Sequence, residues 1–126
     1  MVPSLTPTLM VVGDDASFRY LIHRYAKKSA YHAVLVHFAE DVLSIARREL
    51  PIAVLLEFDL PGERGRQALQ ALTTHPDTCE IPVVVCSWTD EAERSLDEGA
   101  AVYLRKPILY DDFQTALVAV EGWQQH

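Results

Sequence analysis

The sequence predicts a doubly wound α/β domain in which a five-stranded parallel sheet lies between two layers of helices. Three observations carry that expectation. Short apolar runs rich in β-branched residues alternate with longer amphipathic runs, and Pro, Gly or charged residues punctuate nearly every junction. The short runs are mostly continuous in apolar character, as strands buried on both faces should be. Five such β/α repeats fit in a chain of 126 residues. Parallel neighbours need right-handed crossover helices, which cover both faces of the sheet.

The elements follow in order along the chain. Residues 1–8, with two prolines and two threonines, read as a flexible tail before a first strand at Leu9 to Val12. Phe18, Leu21, Ile22, Tyr25 and Ala26 then recur at helical spacing and define the first helix. The second strand is Ala33 to Val36, and the second helix, Ala39 to Glu49, turns Val42, Ile45 and Ala46 inward. A third strand at Ile52 to Leu56 leads to a helix over about Arg64 to His75 that buries Ala68, Leu69 and Leu72. The fourth strand is Ile81 to Cys86. The helix expected after it, Asp90 to Glu98, offers only Ala92 and Leu96 as apolar contacts, with Gly99 as its stop. Ala101 to Leu104 form the fifth strand, and Phe113, Ala116, Leu117 and Val120 mark the last helix. Trp123 is expected to pack on that helix or to dock a following segment. The single domain therefore spans 9–123, with 124–126 as a C-terminal tail.

Composition removes several function classes. Hydrophobic residues make up 49% and charged residues 23%, enough apolar mass for a core without disulfide or metal staples. With 11 Lys+Arg against 18 Asp+Glu, the net charge is −7, and no basic cluster offers a footprint for nucleic acid or an anionic membrane. No apolar run approaches the roughly 18 residues of a membrane span, and the first residues lack the pattern of a signal peptide. A cytoplasmic location is expected. Cys79 and Cys86 read as free thiols, and the five histidines lack zinc-ligand spacing.

In an open parallel sheet, functional groups collect beyond the C-terminal ends of the strands. Strand one ends in Gly13-Asp14-Asp15, strand three in Glu57-Phe58-Asp59, strand four in Ser87-Trp88 and strand five in Arg105-Lys106-Pro107. Carboxylates, a hydroxyl and an ammonium converging there suit a hard cation together with a phosphoryl group.

Two segments carry a family resemblance. The run Leu55-Leu56-Glu57-Phe58-Asp59-Leu60-Pro61-Gly62-Glu63-Arg64-Gly65 is similar to L-L-D-x-x-L-P-G-x-x-G, and Gly99-Ala100-Ala101-Val102-Tyr103-Leu104-Arg105-Lys106-Pro107 to G-A-x-x-Y-L-x-K-P. Together, at matching spacing, they resemble the receiver domain of bacterial two-component response regulators, from Leu9 to about Val120. The resemblance implies the flavodoxin-like strand order 2-1-3-4-5 and a role in phosphorelay signalling. In that family an acidic pair follows strand one, an Asp ending strand three is phosphorylated, a Ser/Thr ends strand four and Lys-Pro ends strand five. By this correspondence Ser87 and Lys106 handle the phosphoryl group and Tyr103 is the aromatic switch residue.

Three departures surround that site. Glu57 stands at the acceptor position in place of Asp. Gly13 takes the first place of the acidic pair, leaving Asp14 and, one step later, Asp15. Trp88 follows Ser87 where the family has a small residue, and reads as a lid on the site or as part of a partner surface. The longer Glu57 reaches toward Lys106 and Ser87, so that it either mimics a phosphorylated Asp or merely replaces a lost acceptor. Its pairing with Lys106 is expected near the surface, where one ion pair contributes only about 0–1 kcal/mol. Asp59 would offer a metal only its backbone carbonyl, with its side chain in solvent.

The leading expectation is a non-enzymatic, receiver-like signalling domain without the usual phosphorylation. It has no cofactor, or Mg²⁺ held weakly by Asp14, Glu57, the Asp59 carbonyl and Asp15. Its partner is a histidine kinase, an output domain, another signalling protein or a second copy of the chain. The expected contact face is the fourth helix, fifth strand and fifth helix, with Glu91, Glu93, Arg94, Tyr103, Arg105 and Asp111. The alternative is a competent receiver that accepts a phosphoryl group from a histidine kinase with Mg²⁺. A flavodoxin-like cofactor binder is disfavoured, because no Gly-rich phosphate loop follows strand one.

Overall fold

The protein is described by a computed structural model covering residues 6–38, 40–59, 63–121 and 123. Residues 1–5 of the tail expected at 1–8, the tail 124–126, Ala39, Gly122 and the Leu60-Pro61-Gly62 of the motif lie outside the described residues, as do the side chains of Glu91, Ala92 and Glu93.

Five strands, β1 (Thr8–Val12), β2 (His32–Val36), β3 (Ala53–Glu57), β4 (Val83–Ser87) and β5 (Val102–Arg105), form one parallel sheet in the order β2-β1-β3-β4-β5. Thr8 belongs to β1 and not to a tail, because it pairs with His32. β3 to β5 each run one residue further than the apolar pattern predicts. The ladder continues through polar side chains: Glu57 lies opposite Cys86 and Ser87 opposite Arg105. Phe58 N–H then donates to the Cys86 carbonyl at 3.0 Å, and Lys106 N–H to that of Ser87 at 2.7 Å. Backbone pairing is indifferent to side-chain polarity, so the functional residues stand on the rigid sheet.

Four α-helices cover the sheet: α1 (Ala16–Lys28), α2 (Val42–Glu49), α3 (Arg64–Thr74) and α4 (Tyr110–Glu121). α1 and α4 pack Phe18, Ile22, Ala26, Phe113, Ala116 and Leu117 on one face of the sheet, against Leu9, Val11, Leu55 and Val84. α2 and α3 bring Ala46, Ala68, Leu69 and Leu72 to the other, against Met10, Val12, Leu56 and Val85. α2 starts three residues later than its apolar pattern suggests, since Asp41 caps it by accepting from Ser44 N–H at 3.1 Å and from Ser44 Oγ at 2.8 Å.

The fourth helical segment differs from expectation. Asp90–Leu96 is a 3₁₀ helix, with no side-chain cap at Thr89, and Leu96 is 44% exposed. A segment so short of apolar contacts lacks the packing that stabilises an α-helix. Among its described side chains, Ser95 is fully buried.

The aromatic cluster of Tyr25, Tyr110 and Phe113, with ring centroids 5.3 to 6.3 Å apart, ties α1 to α4. Tyr25 Oη donates to the Ile108 carbonyl at 2.8 Å, which anchors the loop that carries Lys106. Phe113 is fully buried and Val118 is 68% exposed. Phe113→Ala should therefore lower unfolding free energy by about 3–5 kcal/mol, and Val118→Ala by no more than about 0.5 kcal/mol, as read from urea denaturation midpoints.

Candidate functional site

Parallel strands bring their C-terminal ends to one edge, so Gly13, Glu57, Ser87 and Lys106 are neighbours although distant in sequence. Glu57 is 1% and Lys106 7% exposed. Lys106 Nζ donates to Glu57 Oε2 at 2.7 Å and lies 2.8 Å from Asp59 Oδ2. The expected pairing of Glu57 with Lys106 is present. Its expected place near the surface is not: the Glu57–Lys106 pair is buried, and Asp59 joins it from the solvent side to make a network of two carboxylates and one ammonium.

The network's second carboxylate corrects the reading of Asp59, whose side chain turns into the site. Its Oδ1 accepts from Ser87 Oγ at 2.6 Å and from Trp88 N–H at 3.0 Å. The side chain is 19% exposed. A carboxylate beside a buried ammonium is drawn to it in preference to water, which sequence position alone did not reveal. Burial works to raise the Asp59 carboxyl, but the Lys106 ammonium, the Ser87 hydroxyl and the Trp88 amide outweigh it and hold it below the usual carboxylate range. Burial likewise works against the charge on Lys106, and its hydrogen bonds to Asp59 and Glu57 overcome this and raise its pKa.

Glu57 Oε1 is held by the backbone N–H groups of Asp14 and Asp15 at 3.2 and 3.3 Å, at the start of α1. This contact explains Gly13. A Cβ at position 13 would stand 2.8 Å from Glu57 Oε1 and 3.0 Å from Glu57 Cβ. The loss of a side chain at 13 and the gain of a methylene at 57 are thus one steric exchange. Phe18, which the sequence placed only in the core, presents its ring 4.9 Å from Lys106 Nζ.

The remaining candidates fall around this centre. Asp14 turns away from Lys106: its Oδ1 accepts from Phe38 N–H at 3.0 Å, with His37 and Arg64 beside it at 3.5 and 3.6 Å. Asp15 caps α1 through Ser17 N–H at 2.9 Å. Trp88 is 55% exposed, with its ring 5.9 Å from Lys106 Nζ, and borders a cleft of about 180 Å³ with Phe18, Leu21 and Pro107. Tyr103 packs its ring against the α2–α3 side of the core and donates through Oη to the Thr89 carbonyl at 2.6 Å. Arg105 donates to the Trp88 carbonyl at 2.7 Å and pairs with Asp90. Arg94 and Asp111 are exposed. Cys86 is fully buried, and burial pushes its thiol far above the ordinary range, so it is no nucleophile.

This donor set does not fit a resident Mg²⁺. The ion needs free carboxylate oxygens in octahedral array, whereas both Glu57 oxygens are engaged and the Lys106 ammonium occupies the space between the two carboxylates. Asp14 Oδ1 and Asp15 Oδ1 accept backbone N–H groups elsewhere, and Arg64 lies 3.6 Å from Asp14 Oδ2.

Known proteins supply an independent comparison. Residues 9–118 match the family described as response regulator receiver domain. The chain is 28% identical over 117 residues to protein PilH of Pseudomonas aeruginosa, covering 90% of this chain and 94% of PilH. It is 30% identical over 105 residues to the transcriptional regulatory protein BaeR of Escherichia coli, covering 81% of this chain but only 42% of BaeR. Among solved structures, the receiver domain of a Pseudomonas aeruginosa sensor histidine kinase, which holds a magnesium ion in its active-site cleft, superposes with a TM-score of 0.81 at 20% identity, over 93% of this chain and 99% of that one. The chemotaxis response regulator CheY4 of Vibrio cholerae gives a TM-score of 0.79 at 16% identity, over 91% and 98%. These two likenesses concern the fold.

Removing Lys106 should strand the buried Glu57 carboxylate and leave Asp59 without its ammonium partner. Lys106→Met is expected to cost about 3–5 kcal/mol, and Glu57→Gln in the same background should recover part of it, as measured by denaturant unfolding. The pH dependence follows from the two shifts. Asp59, depressed on folding, contributes stability above its unfolded value of about 3.9 that is lost as pH falls through its lower folded value. Lys106, raised on folding, contributes fully below about 10.4, and this is lost as pH rises through its higher folded value. The contribution of this pair should be level between these limits, and the acid fall in stability should be shallower in Asp59→Asn; equal acid slopes in the two proteins would contradict the assignment.

Proposed function

The chain belongs to the response regulator receiver domain family and is a receiver domain of a two-component signalling system; on that premise we propose that it is a pseudo-receiver. Glu57 stands at the acceptor position and is not phosphorylated in the usual way. The domain signals through protein contacts in the cytoplasm and catalyses no reaction on a separate substrate.

One observation carries this reading. Glu57 is buried with one oxygen on Lys106 and the other on two backbone amides. An acceptor must offer a free oxygen to the donor phosphorus, with a cation to offset the charge that develops. Here the cation already neutralises the would-be nucleophile. Mg²⁺ binding, on the same reading, is weak and has no part in the output.

The partner is a histidine kinase, an output domain or another signalling protein, met through the face formed by the 3₁₀ helix, β5 and α4. Tyr103 and Arg105 support that choice, since both tie β5 to the loop after Ser87. Arg94 and Asp111, both exposed, extend the same face, and a second copy of the chain is one partner it would fit. The chain spans 42% of BaeR and 45% of the Bacillus subtilis regulator YxdJ, so an attached output domain is part of the proposal.

A competent receiver remains the second reading, and one observation favours it: Asp59, an aspartate, contacts both Ser87 and Lys106. Incubation with acetyl phosphate and Mg²⁺, followed by intact-mass measurement, separates the two. No phosphoryl adduct is expected. An adduct that disappears in Glu57→Gln would overturn the proposal, and one that disappears only in Asp59→Asn would move the acceptor to Asp59.

A further inference from the structure

Three donors of different kinds converge on one carboxylate. Ser87 Oγ, the Trp88 backbone N–H and Lys106 Nζ lie 2.6, 3.0 and 2.8 Å from oxygens of Asp59. Ser87 is 2% and Lys106 7% exposed, so two of the three donors belong to the interior. They are also rigidly placed. Ser87 is the last residue of β4, and Lys106 N–H continues the ladder onto the Ser87 carbonyl at 2.7 Å. Asp59 lies beyond the end of β3. The donors are thus built into the sheet edge, and the anion is delivered to them by a loop.

Hydroxyl, amide and ammonium aimed at one point make a site for an oxyanion. Glu57 does not fill it. Its oxygens go to Lys106 and to the Asp14 and Asp15 amides, the latter at 3.2 and 3.3 Å, and its carboxylate lies on the α1 side of these contacts. The family's phosphoryl-handling pair, here Ser87 and Lys106, thus has an occupant: we propose that the chain's own Asp59 carboxylate, held also by Trp88 N–H, is the resident ligand of this oxyanion site, so that Asp59, and not Glu57, is the internal substitute for a phosphoryl group. The inference rests on the reading of the chain as a receiver that works without phosphorylation of Glu57.

The loop after β4 gives this ligand something to hold. Ser87 Oγ accepts from Thr89 N–H at 3.1 Å while donating to Asp59. The Trp88 carbonyl takes Arg105 and the Thr89 carbonyl takes Tyr103. A chain of hydrogen bonds therefore runs from Asp59 through residues 87–89 to β5, and the Asp59 charge anchors one end. Removing it should vacate the oxyanion site and release the loop together.

The test uses the whole chain carrying Trp123→Phe, so that Trp88 is the single emitter, with inorganic phosphate titrated at constant ionic strength. Asp59→Ala should show a saturable change in Trp88 emission, with a midpoint about tenfold or more below that of the unsubstituted site, because a tethered competitor acts at millimolar or higher effective concentration. Adding Ser87→Ala should abolish the change. Amide hydrogen exchange over 87–96 should quicken in Asp59→Ala and slow again with phosphate. Asp59→Asn, of the same shape but uncharged, repeats both measurements if the alanine variant folds poorly. Equal phosphate midpoints with and without Asp59, binding insensitive to Ser87→Ala, or unchanged exchange would each overturn the proposal. These readouts are non-covalent. A Glu57 adduct from acetyl phosphate would instead overturn the functional reading, and is scored separately by mass.

Discussion

The buried ammonium of Lys106 is the constraint around which the strand ends are arranged. A cation removed from water is tolerable only with close anions and further donors to complete the network. Here Glu57 and Asp59 supply the anions at 2.7 and 2.8 Å. Two carboxylates around one ammonium leave a residual negative charge, which is met by backbone N–H groups of Asp14, Asp15 and Trp88 and by the Ser87 hydroxyl. Each oxygen of both carboxylates therefore has a donor, and the site is closed by its own side chains.

The fold makes that closure possible through a few local features. The parallel register sets Glu57 beside Cys86 and Ser87 beside Arg105, which levels the ends of β3, β4 and β5. The absent side chain of Gly13 opens the space into which Glu57 extends. The Tyr25 bond to the Ile108 carbonyl secures the segment after Lys106 from the far side. The first two meet at Glu57, and the third acts through the segment after Lys106. They cooperate because the sheet edge is rigid, so a displacement of any one would be felt at the ammonium.

A receiver normally answers an external phosphoryl group, and an answer requires donors left free to meet it. In this chain Ser87 and Lys106 are already engaged by carboxylates, and Tyr103 and Arg105 are bonded to the loop that follows Ser87. On the proposed pseudo-receiver reading, such an arrangement favours a constant surface over a switched one. The 3₁₀ segment of that surface lacks a side-chain cap at Thr89 and leaves Leu96 44% exposed. A partner that packs on it would supply the apolar contacts its own sequence lacks.

The sequence by itself determined the fold class, because continuous apolar runs alternating with amphipathic ones admit a parallel sheet with helices on both faces and little else. It also placed Glu57, Ser87, Trp88 and Lys106 at the strand ends, since strand order and chain punctuation are local properties. What it could not express was the direction of side chains in loops. Asp59 read as solvent-facing because its neighbours in sequence are loop residues, whereas its partners Ser87 and Lys106 are 28 and 47 positions away (87 − 59 and 106 − 59). Gly13 read as a missing ligand, and only the 2.8 Å approach of a Cβ to Glu57 identified it as space. A signal was present in the pairing of a residue without a side chain with one a methylene too long, but its meaning depends on their being adjacent across β1 and β3. The depth of the Lys106 pair was likewise decided by the tertiary structure: burial is set by what α1 and the β5–α4 loop bring over the sheet edge, and no stretch of the chain encodes that alone.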